Sequence, residues 1–155
     1  MDNNPLVSFV IPTYNSEKTI DRCLKSIKAQ SYPNVEIIII DDFSTDNTLA
    51  KIFEHNLKNL TLIKQNINIG PSKCRNIAIL ASKGKYISIL DSDDFIYSNK
   101  TEDQIEFLEN NQEYSIVGSN VIIVDGKKEK FSKRIKEHTD IMKSIYYYNP
   151  FCHSS

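Results

Sequence analysis

The chain has 155 residues, the size of one domain, and its apolar and charged fractions of 40% and 25% are those of an ordinary globular protein. Its net charge of −1 gives no reason to expect a nucleic acid or an anionic membrane surface as a partner. No apolar run approaches the length needed to span a bilayer, and the three widely spaced cysteines and the polar N-terminus predict a reduced, cytoplasmic protein without a secretory signal.

Strand and helix patterns alternate over the first part of the chain. Continuous apolar runs typical of buried parallel strands occur at Val7–Ile11, Val35–Ile40, Leu60–Lys64 and Tyr86–Leu90. Apolar residues at helical spacing predict helices over Ser16–Gln30 and Asp46–Lys58, and a third helix that Ser72 begins and Gly84 closes. The β-α-β-α-β-α-β order predicts a mainly parallel sheet with helices on both faces.

A hairpin and two further helices are predicted after the fourth strand. Thr101 and Gln104 have the spacing of a capping box at the start of a helix. The turn signal Asp125-Gly126, with a strand pattern on each side, predicts a β-hairpin. Thr139–Tyr148 is predicted to be the last helix.

Three of the predicted strands are followed directly by polar or acidic residues. Pro12-Thr13-Tyr14-Asn15 follows the first strand, Asp41-Asp42 the second and Asp91-Ser92-Asp93-Asp94 the fourth. In an open parallel sheet the carboxyl ends of the strands lie on one edge, where ligands bind. Carboxylates gathered at that edge repel one another unless a cation or the donors of a ligand stabilise them. The pattern therefore predicts a site for a metal ion and a phosphorylated ligand.

The D-x-D sequence of Asp91 and Asp93 is weak evidence by itself, because a solvated turn or a helix cap gives the same pattern. Its position after a strand, with Asp41-Asp42 after another strand, favours oxygen ligands for Mg²⁺ or Mn²⁺. Which of Asp91, Asp93 and Asp94 contacts the ion stays open. Asp42 can accept a hydrogen bond from a nucleobase, with a helix cap as its alternative role.

Basic and aromatic residues near these strand ends also have two interpretations each. Arg75 and Lys73 are predicted in the first turn of the third helix, where positive charge opposes the helix dipole. Arg75 can therefore serve to pair with a diphosphate or with a strand-end carboxylate, and simple surface exposure is the alternative. Tyr14 can stack on a base or belong to the core. Lys127–Lys136 is predicted to be a solvated, basic hairpin face, with a lipid-phosphate contact left open.

Four segments resemble glycosyltransferase family 2, a group of inverting sugar transferases with the GT-A fold. They are V-S-F-V-I-P-T-Y-N at Val7–Asn15, I-I-D-D-F-S-T-D-N-T at Ile39–Thr48, N-I-G-P-S-K-C-R-N at Asn68–Asn76 and G-K-Y-I-S-I-L-D-S-D-D at Gly84–Asp94. They occur in the family's order and at its spacing. The resemblance implies an α/β fold of GT-A type, with a mainly parallel sheet, helices on both faces, a Rossmann-like nucleotide-binding half and a C-terminal hairpin and helix extension.

The resemblance also implies a ligand and a reaction. The chain would bind a nucleoside-diphosphate sugar, with a UDP-sugar as the expected donor, and Mn²⁺ or Mg²⁺. Tyr14 and Asp42 would contact the base, and Arg75 would lie close to the nucleotide. The implied nucleotide-sugar site comprises Pro12, Tyr14, Asp42, Arg75, Asp91, Ser92 and Asp93, and the implied metal ligands are Asp91, Asp93 and Asp94. The implied reaction is a single displacement with inversion at the sugar, in which a carboxylate base deprotonates an acceptor hydroxyl.

The chain departs from the family pattern in two ways. No match to the family's later acidic motif is found, so the catalytic base is not identified. Residues 1–155 are therefore predicted to form a single nucleotide-sugar-binding domain without the acceptor part, with His153 on the acceptor side. Phe43 stands where glycine is frequent. The acceptor, a saccharide or a lipid-linked one, the oligomeric state and peripheral contact with the inner membrane face stay open.

Two other functions compete with this interpretation. A module that binds the sugar nucleotide without turnover is one alternative, because no base was found. A phosphoacceptor receiver domain also has an Asp-Asp pair and a later aspartate after its strands. That class needs the pair after the first strand, whereas here Val7–Ile11 precedes Asp41-Asp42.

Overall fold

A computed structural model of the chain describes residues 4–126, 128–132 and 137–144. The described residues fall into two compact units, with the boundary between Ile105 and Glu106. The prediction of one domain over residues 1–155 stays a prediction. Within the described ranges, every helix is too short or too polar to cross a lipid bilayer.

The first unit is built on a four-stranded, fully parallel sheet. Its strands are β1 (Val7–Thr13), β2 (Val35–Asp41), β3 (Leu60–Lys64) and β4 (Tyr86–Ile89), in the order β3-β2-β1-β4. The connecting helices are α1 (Ile20–Lys28), α2 (Thr48–Glu54) and α3 (Pro71–Ala81), and α4 (Lys100–Asn110) follows β4. This arrangement confirms the predicted α/β class and the order of the elements.

Apolar clusters lie on both faces of the sheet. On one face Phe9 and Ile39 pack with α1 and α2 residues, and on the other Ile38 packs with Cys74 and Ala78 of α3. Successive side chains of a strand point to opposite faces, so the isoleucine run of β2 contributes to both clusters. All four isoleucines of that run are buried, as a sheet covered on both sides requires.

β1 continues through Pro12 instead of ending before it. Thr13 O accepts a hydrogen bond from Asp42 N at 2.8 Å, whereas Val10 O accepts one from Leu90 N at 3.1 Å. Backbone groups alternate sides along a strand, so the nitrogen of Pro12 faces the β4 side, as Val10 does. Leu90, the residue just after β4, still donates to Val10 O, so a regular ladder would place Leu90 O opposite the nitrogen of Pro12. Proline has no amide hydrogen to donate, so the β1–β4 ladder ends at this level.

Helices α1 and α2 begin later than the predicted Ser16 and Asp46. The residue before α1 is Thr19, and its side chain makes no cap hydrogen bond. Asp46 lies before α2, and its carboxylate accepts hydrogen bonds from Thr48 N at 3.0 Å and Glu17 N at 3.1 Å. Short polar side chains compete with the helix for backbone donors, which shifts both helix starts.

Gly84 does not close α3, which ends at Ala81. A Cβ at Gly84 would lie 2.6 Å from Ser8 Oγ and 2.8 Å from Leu6 O. Gly84 N also donates a hydrogen bond to Ser8 Oγ at 2.9 Å. Glycine is therefore required because the chain passes very close to β1 before it enters β4.

The predicted capping box at Thr101 is wrong. Thr101 lies within α4, and its hydroxyl and amide donate to Gln30 Oε1 at 2.7 and 3.1 Å. The Nε2 of Gln104 is buried without a partner among the described residues. In a capping box the side chain of Gln104 would accept a hydrogen bond from Thr101 N, and here the side chain of Gln30 accepts that bond instead.

The second unit contains the predicted hairpin and a short helix. Strands β5 (Val121–Asp125) and β6 (Lys128–Ser132) pair antiparallel, and Gly126 supplies the left-handed turn residue with φ of 60°. Helix α5 (His138–Ser144) begins the predicted last helix. Residues 145–155, with His153 among them, and part of the basic segment lie outside the described residues.

Phe43 has a left-handed backbone conformation with φ of 69°. Asn15 and Asn56 also have positive φ, but asparagine tolerates this region, whereas for phenylalanine it costs about 1–2 kcal/mol. The Phe43 side chain is 48% exposed, so packing offsets little of that cost. Phenylalanine in place of the family's frequent glycine therefore strains the backbone of the loop after β2.

We expect Gly84→Ala to lower the free energy of unfolding by about 3 kcal/mol, the upper end for overpacking, because the contacts include backbone atoms. Gly126→Ala is the matched control: nothing lies within 4 Å of its added Cβ, and only the backbone cost of its positive φ applies. Chemical denaturation of both variants measures the difference. A loss at Gly84 no larger than the loss at Gly126 would contradict the steric argument.

Phe43→Gly is expected to raise the free energy of unfolding by about 0.5–1 kcal/mol, the strain relieved less the entropic cost of glycine. Asn56→Gly, at φ of 45°, should give a smaller change because asparagine is already tolerated there. The measurement is urea denaturation of the two variants and the parent. No gain at Phe43 would show that the loop carries no such strain.

Candidate functional site

The loops after β1, β2 and β4 line one cleft of about 950 Å³ within the first unit. All seven residues predicted to bind the sugar nucleotide are on its wall: Pro12, Tyr14, Asp42, Arg75, Asp91, Ser92 and Asp93. Asp94 is not among the lining residues. His153 lies outside the described part of the chain. The structure thus brings together side chains that are up to about eighty positions apart in the sequence, as the strand-end rule expects.

Asp42 holds the loop that leads into α3. Its Oδ1 accepts a hydrogen bond from Ile69 N at 2.7 Å and its Oδ2 accepts one from Gly70 N at 2.9 Å. Gly70 has φ of 86°, and Pro71 is the first residue of α3, so the helix begins before the predicted Ser72. Asp42 is only 3% exposed, and its carboxylate also makes a hydrogen bond with the side chain of Cys74. A carboxylate has about four acceptor sites, so capacity for a further donor remains. The sequence did not reveal this structural role.

Asp41, the other member of the pair, does not line the cleft. Its Oδ2 accepts a hydrogen bond from Ser44 N at 3.2 Å. Its Oδ1 and the Oγ1 of Thr13, which is in register with it, are buried without a partner among the described residues. Buried polar atoms of this kind are where proteins hold water, so Asp41 supports the rim of the sheet.

Arg75 forms an ion pair with the first aspartate of the acidic turn, which is defined here as Asp91–Asp94. Arg75 Nη2 donates to Asp91 Oδ1 at 2.6 Å. The Arg75 Nε is buried and has no partner in the described ranges. Because α3 begins at Pro71, Arg75 lies in its second turn, where the helix dipole matters less than predicted. The positive charge at this position is instead explained by the ion pair of Arg75 with Asp91.

A buried hydroxyl pair joins the loops after β1 and β4. Ser16 Oγ and Ser92 Oγ are 2.8 Å apart, and both residues are buried. Ser16 N donates to Thr48 Oγ1 at 2.7 Å, and Asp46 ties this region to Glu17 N. Ser16 and Asp46 also line the cleft, although the sequence suggested only roles at helix ends. Both residues could have been predicted as cleft residues from their positions, because each lies in a loop that follows a parallel strand and such loops lie at one edge of the sheet.

Carboxylates outnumber cations on the wall of the cleft. Its acidic residues are Glu17, Asp42, Asp46, Asp91 and Asp93, and its basic residues are Lys18 and Arg75. Arg75 is paired with Asp91, whereas Lys18 makes no ion pair within the part of the chain that the structure describes. Nothing in the sequence distinguished Lys18, because an exposed lysine in a loop is ordinary. An anionic ligand in this cleft needs an additional cation beside it.

Burial and the nearby carboxylates together raise the pKa values of two cysteines. Burial first, and then the carboxylates of the acidic turn, raise the pKa of Cys23 to about 12. Burial first, and then Asp42, raise the pKa of Cys74 to about 11. Both side chains therefore stay neutral thiols at physiological pH.

Asp93 is the member of the acidic turn best placed to hold a metal ion. It is exposed, lines the cleft, and its carboxylate receives no hydrogen bond from the described residues. Asp91 is paired with Arg75, and Asp94 N donates to Asp91 O at 3.0 Å within the turn. Among the residues described, no three acidic, histidine or cysteine side chains form a closed metal site. An open carboxylate fits Mg²⁺ or Mn²⁺, which take most of their ligands from phosphate and water.

The chain is similar to sugar transferases of known sequence. The enzyme WfgD of Escherichia coli, named UDP-Glc:alpha-D-GlcNAc-diphosphoundecaprenol beta-1,3-glucosyltransferase, is 34% identical over 140 residues, which cover 84% of this chain and 55% of WfgD. The chain spans about half the length of the curated relatives it matches.

Two solved structures have a similar fold. Residues 1–349 of Staphylococcus aureus TarS, in complex with UDP-GlcNAc, are 35% identical with a TM-score of 0.66, over 68% of this chain and 32% of that chain. The mannosyltransferase PcManGT from Pyrobaculum calidifontis, in complex with GDP-Man and Mn²⁺, is 27% identical with a TM-score of 0.65, over 76% and 35% of the two chains. This likeness confirms the predicted GT-A type of α/β fold.

A family model described as Glycosyl transferase family 2 matches residues 8–155. The match includes nearly all of the four segments that carry the resemblance in the sequence, and it also excludes the receiver-domain alternative. The chain belongs to glycosyltransferase family 2.

Proposed function

We propose that the protein is a metal-dependent glycosyltransferase that moves a sugar from a UDP-sugar to an acceptor hydroxyl with inversion, and that this chain carries its donor site. The observation that carries the proposal is the single cleft in which Tyr14, Asp42, Arg75 and the acidic turn meet. TarS and PcManGT, which share the fold, were solved with sugar nucleotides.

The nucleobase is assigned to the end of the cleft formed by the loops after β1 and β2. Tyr14 is 50% exposed there and offers an aromatic face for stacking. Pro12 fixes the backbone that presents it. Asp42 is anchored by two backbone donors, so its orientation is set before a ligand arrives, and its remaining lone pairs can accept from a base N–H.

The diphosphate is assigned to the acidic turn and the two basic residues of the cleft. Asp93 would hold a divalent cation, with Asp91 and Asp94 as further candidates, and Ser92 would contact the nucleotide. Mn²⁺ is supported by the complex of PcManGT. The ion would supply positive charge to the leaving diphosphate. Arg75 and Lys18 add charge from the protein itself.

The acceptor half of the reaction is assigned more coarsely. The name of WfgD includes a lipid-linked acceptor, which supports a saccharide or lipid-linked acceptor here. Contact with the inner membrane face and His153 on the acceptor side stay predictions from the sequence. A cytoplasmic location is supported by the free, buried Cys23 and Cys74. No residue is assigned as the base that takes the acceptor proton.

The alternative of a binding module without turnover gains no support from the relatives described above, which are named as transferases or glycosyltransferases. The two functions differ in a single assay. UDP release from UDP-glucose and UDP-GlcNAc, measured with a lipid-linked saccharide present, reports turnover. Donor binding by calorimetry without any release of UDP would favour the module.

Asp93→Ala is expected to lower the affinity for UDP in Mn²⁺ about 10-fold or more and to leave the affinity without metal unchanged, because the lost carboxylate would hold the ion. Isothermal titration with UDP and GDP, with and without Mn²⁺, measures both. Asp125→Ala, an exposed aspartate of the hairpin outside the cleft lining, is the charge-matched control. Unchanged affinity of the Asp93 variant in Mn²⁺ would remove the metal assignment.

Asp42→Ala is expected to weaken uridine binding without metal about 10-fold, the size of one lost hydrogen bond to a charged group. The change also frees the loop before α3, so Asn68→Ala is the control. Asn68 Nδ2 donates to Asp42 O at 3.3 Å, and its removal loosens the same loop but leaves the carboxylate. Asn68 also lines the cleft, so any contact that it makes with uridine adds to the loss in this variant. Equal uridine affinities of the two variants would assign Asp42 to the loop alone.

A further inference from the structure

Helix α1 and Gln30, which follows it, are hydrogen-bonded to the segment Asp91–Ser98, which follows β4 and contains neither helix nor strand. The contacts are Cys23 Sγ to Asp91 O at 3.7 Å, Arg22 Nη2 to Asp93 O at 2.9 Å, Ile96 N to Ser26 Oγ at 3.2 Å and Gln30 Nε2 to Tyr97 O at 2.8 Å. All four bonds go to backbone atoms of the segment. The helix therefore determines the path of the backbone that carries the acidic turn.

Arg22 is the charged member of this set, and it contacts both the acidic turn and the residue that follows it. Its Nη2 donates to the carbonyl of Asp93, and its Cζ lies 4.7 Å from the centroid of the Phe95 ring. A guanidinium group can donate in its plane and stack through its face at the same time, which an ammonium group cannot do. One cation thus contacts the residues on both sides of Asp94, through the backbone of Asp93 and the ring of Phe95.

The charge of Arg22 also opposes the repulsion within the turn. Asp91, Asp93 and Asp94 place three carboxylates within four positions. These carboxylates raise the pKa of the neighbouring Cys23 thiol, whereas the charge of Arg22 lowers it. Among the described residues, the ion pair of Arg75 is with Asp91. Arg22 therefore adds positive charge beside Asp93, whose carbonyl it contacts.

We propose that Arg22 is a positioning residue of the donor site, which holds the backbone of Asp93 so that the Asp93 carboxylate faces the cleft. Asp93 lines the cleft, whereas Arg22 does not, so its effect on a ligand passes through the turn. The inference rests on the proposed function, since it concerns the group that would hold the metal and the diphosphate. It predicts an effect on metal-dependent binding that is separate from binding of the base.

The test compares Arg22→Ala, Arg22→Lys and the control Lys25→Ala in this chain. Lys25 lies on the same helix, is exposed, and pairs with Asp21 at 2.6 Å, so its removal changes the charge equally without touching the turn. Titrations measure UDP in Mn²⁺ and uridine without metal. Arg22→Ala should lose about 10-fold in affinity for UDP with Mn²⁺, as for one charged hydrogen bond, with uridine affinity unchanged. Arg22→Lys should recover only part of the loss, and Lys25→Ala should match the parent.

Hydrogen exchange of the ligand-free chain provides a second measurement. In Arg22→Ala the amides of residues 93–96 should exchange faster than in the parent, and in Lys25→Ala they should not. Thermal unfolding of each variant records any general loss of stability. A loosened turn without a change elsewhere is the signature of a positioning role.

The outcomes separate the two proposals. If the parent binds uridine and UDP and Arg22→Ala binds both as the parent does, or loses both equally, the positioning role is wrong while the donor site stands. If Arg22→Lys fully restores UDP binding, charge alone accounts for the effect and the planar contact is wrong. If the parent binds neither uridine nor UDP in Mn²⁺, the proposed function is wrong and the positioning role fails with it.

Discussion

The parallel pairing of β1 with β2 is the constraint on which the rest of the site depends. The two strands are in register over their full length, from Val7 opposite Val35 to Thr13 opposite Asp41. They therefore leave the sheet at the same level, and the bond from Asp42 N to Thr13 O closes the ladder. This shared end point puts the loops after the two strands side by side, and side-chain bonds such as that from Glu17 N to Asp46 then join them. The apolar clusters on both faces hold the register, because a slip of one residue would exchange side chains between the two clusters and disrupt the packing of both.

The acidic residues of the cleft are fixed by donors from other elements of the chain. Asp42 is held by backbone amides of the loop before α3, Asp91 by Arg75, and the backbone of Asp93 by Arg22. Each contact costs the ordering of a loop and is made before any ligand is present. A site whose carboxylates are ordered in advance loses less conformational entropy when a cation and a phosphate arrive. The same contacts explain why a cluster of like charges is compatible with a stable fold.

The sequence was sufficient for the sheet and for the meeting of the three loops, but not for the way those loops are held. Runs such as Ile37–Ile40 identify buried strands because only a covered parallel sheet accepts them, and the strand-end rule then places Asp42 and Asp93 at one edge. Helix starts were predicted less well, since Ser16 and Asp46 bond to partners distant in sequence. The role of Asp42 in holding the loop before α3 could not be predicted, because the amides of Ile69 and Gly70 are distant in sequence and come close to its carboxylate only in the folded chain. Lys18 and Arg22 gave no signal for a related reason: an ordinary surface cation and one that supports a site have the same local sequence.

Pro12 limits how far the sheet can grow at the cleft. Its ring nitrogen faces the place where the ladder between β1 and β4 ends, and any other residue would present an amide hydrogen there. Such a hydrogen would let the two strands pair for one bond more and draw the loop after β4 along the sheet. Without it, the backbone after Leu90 is free to leave β1 at the level where the cleft begins.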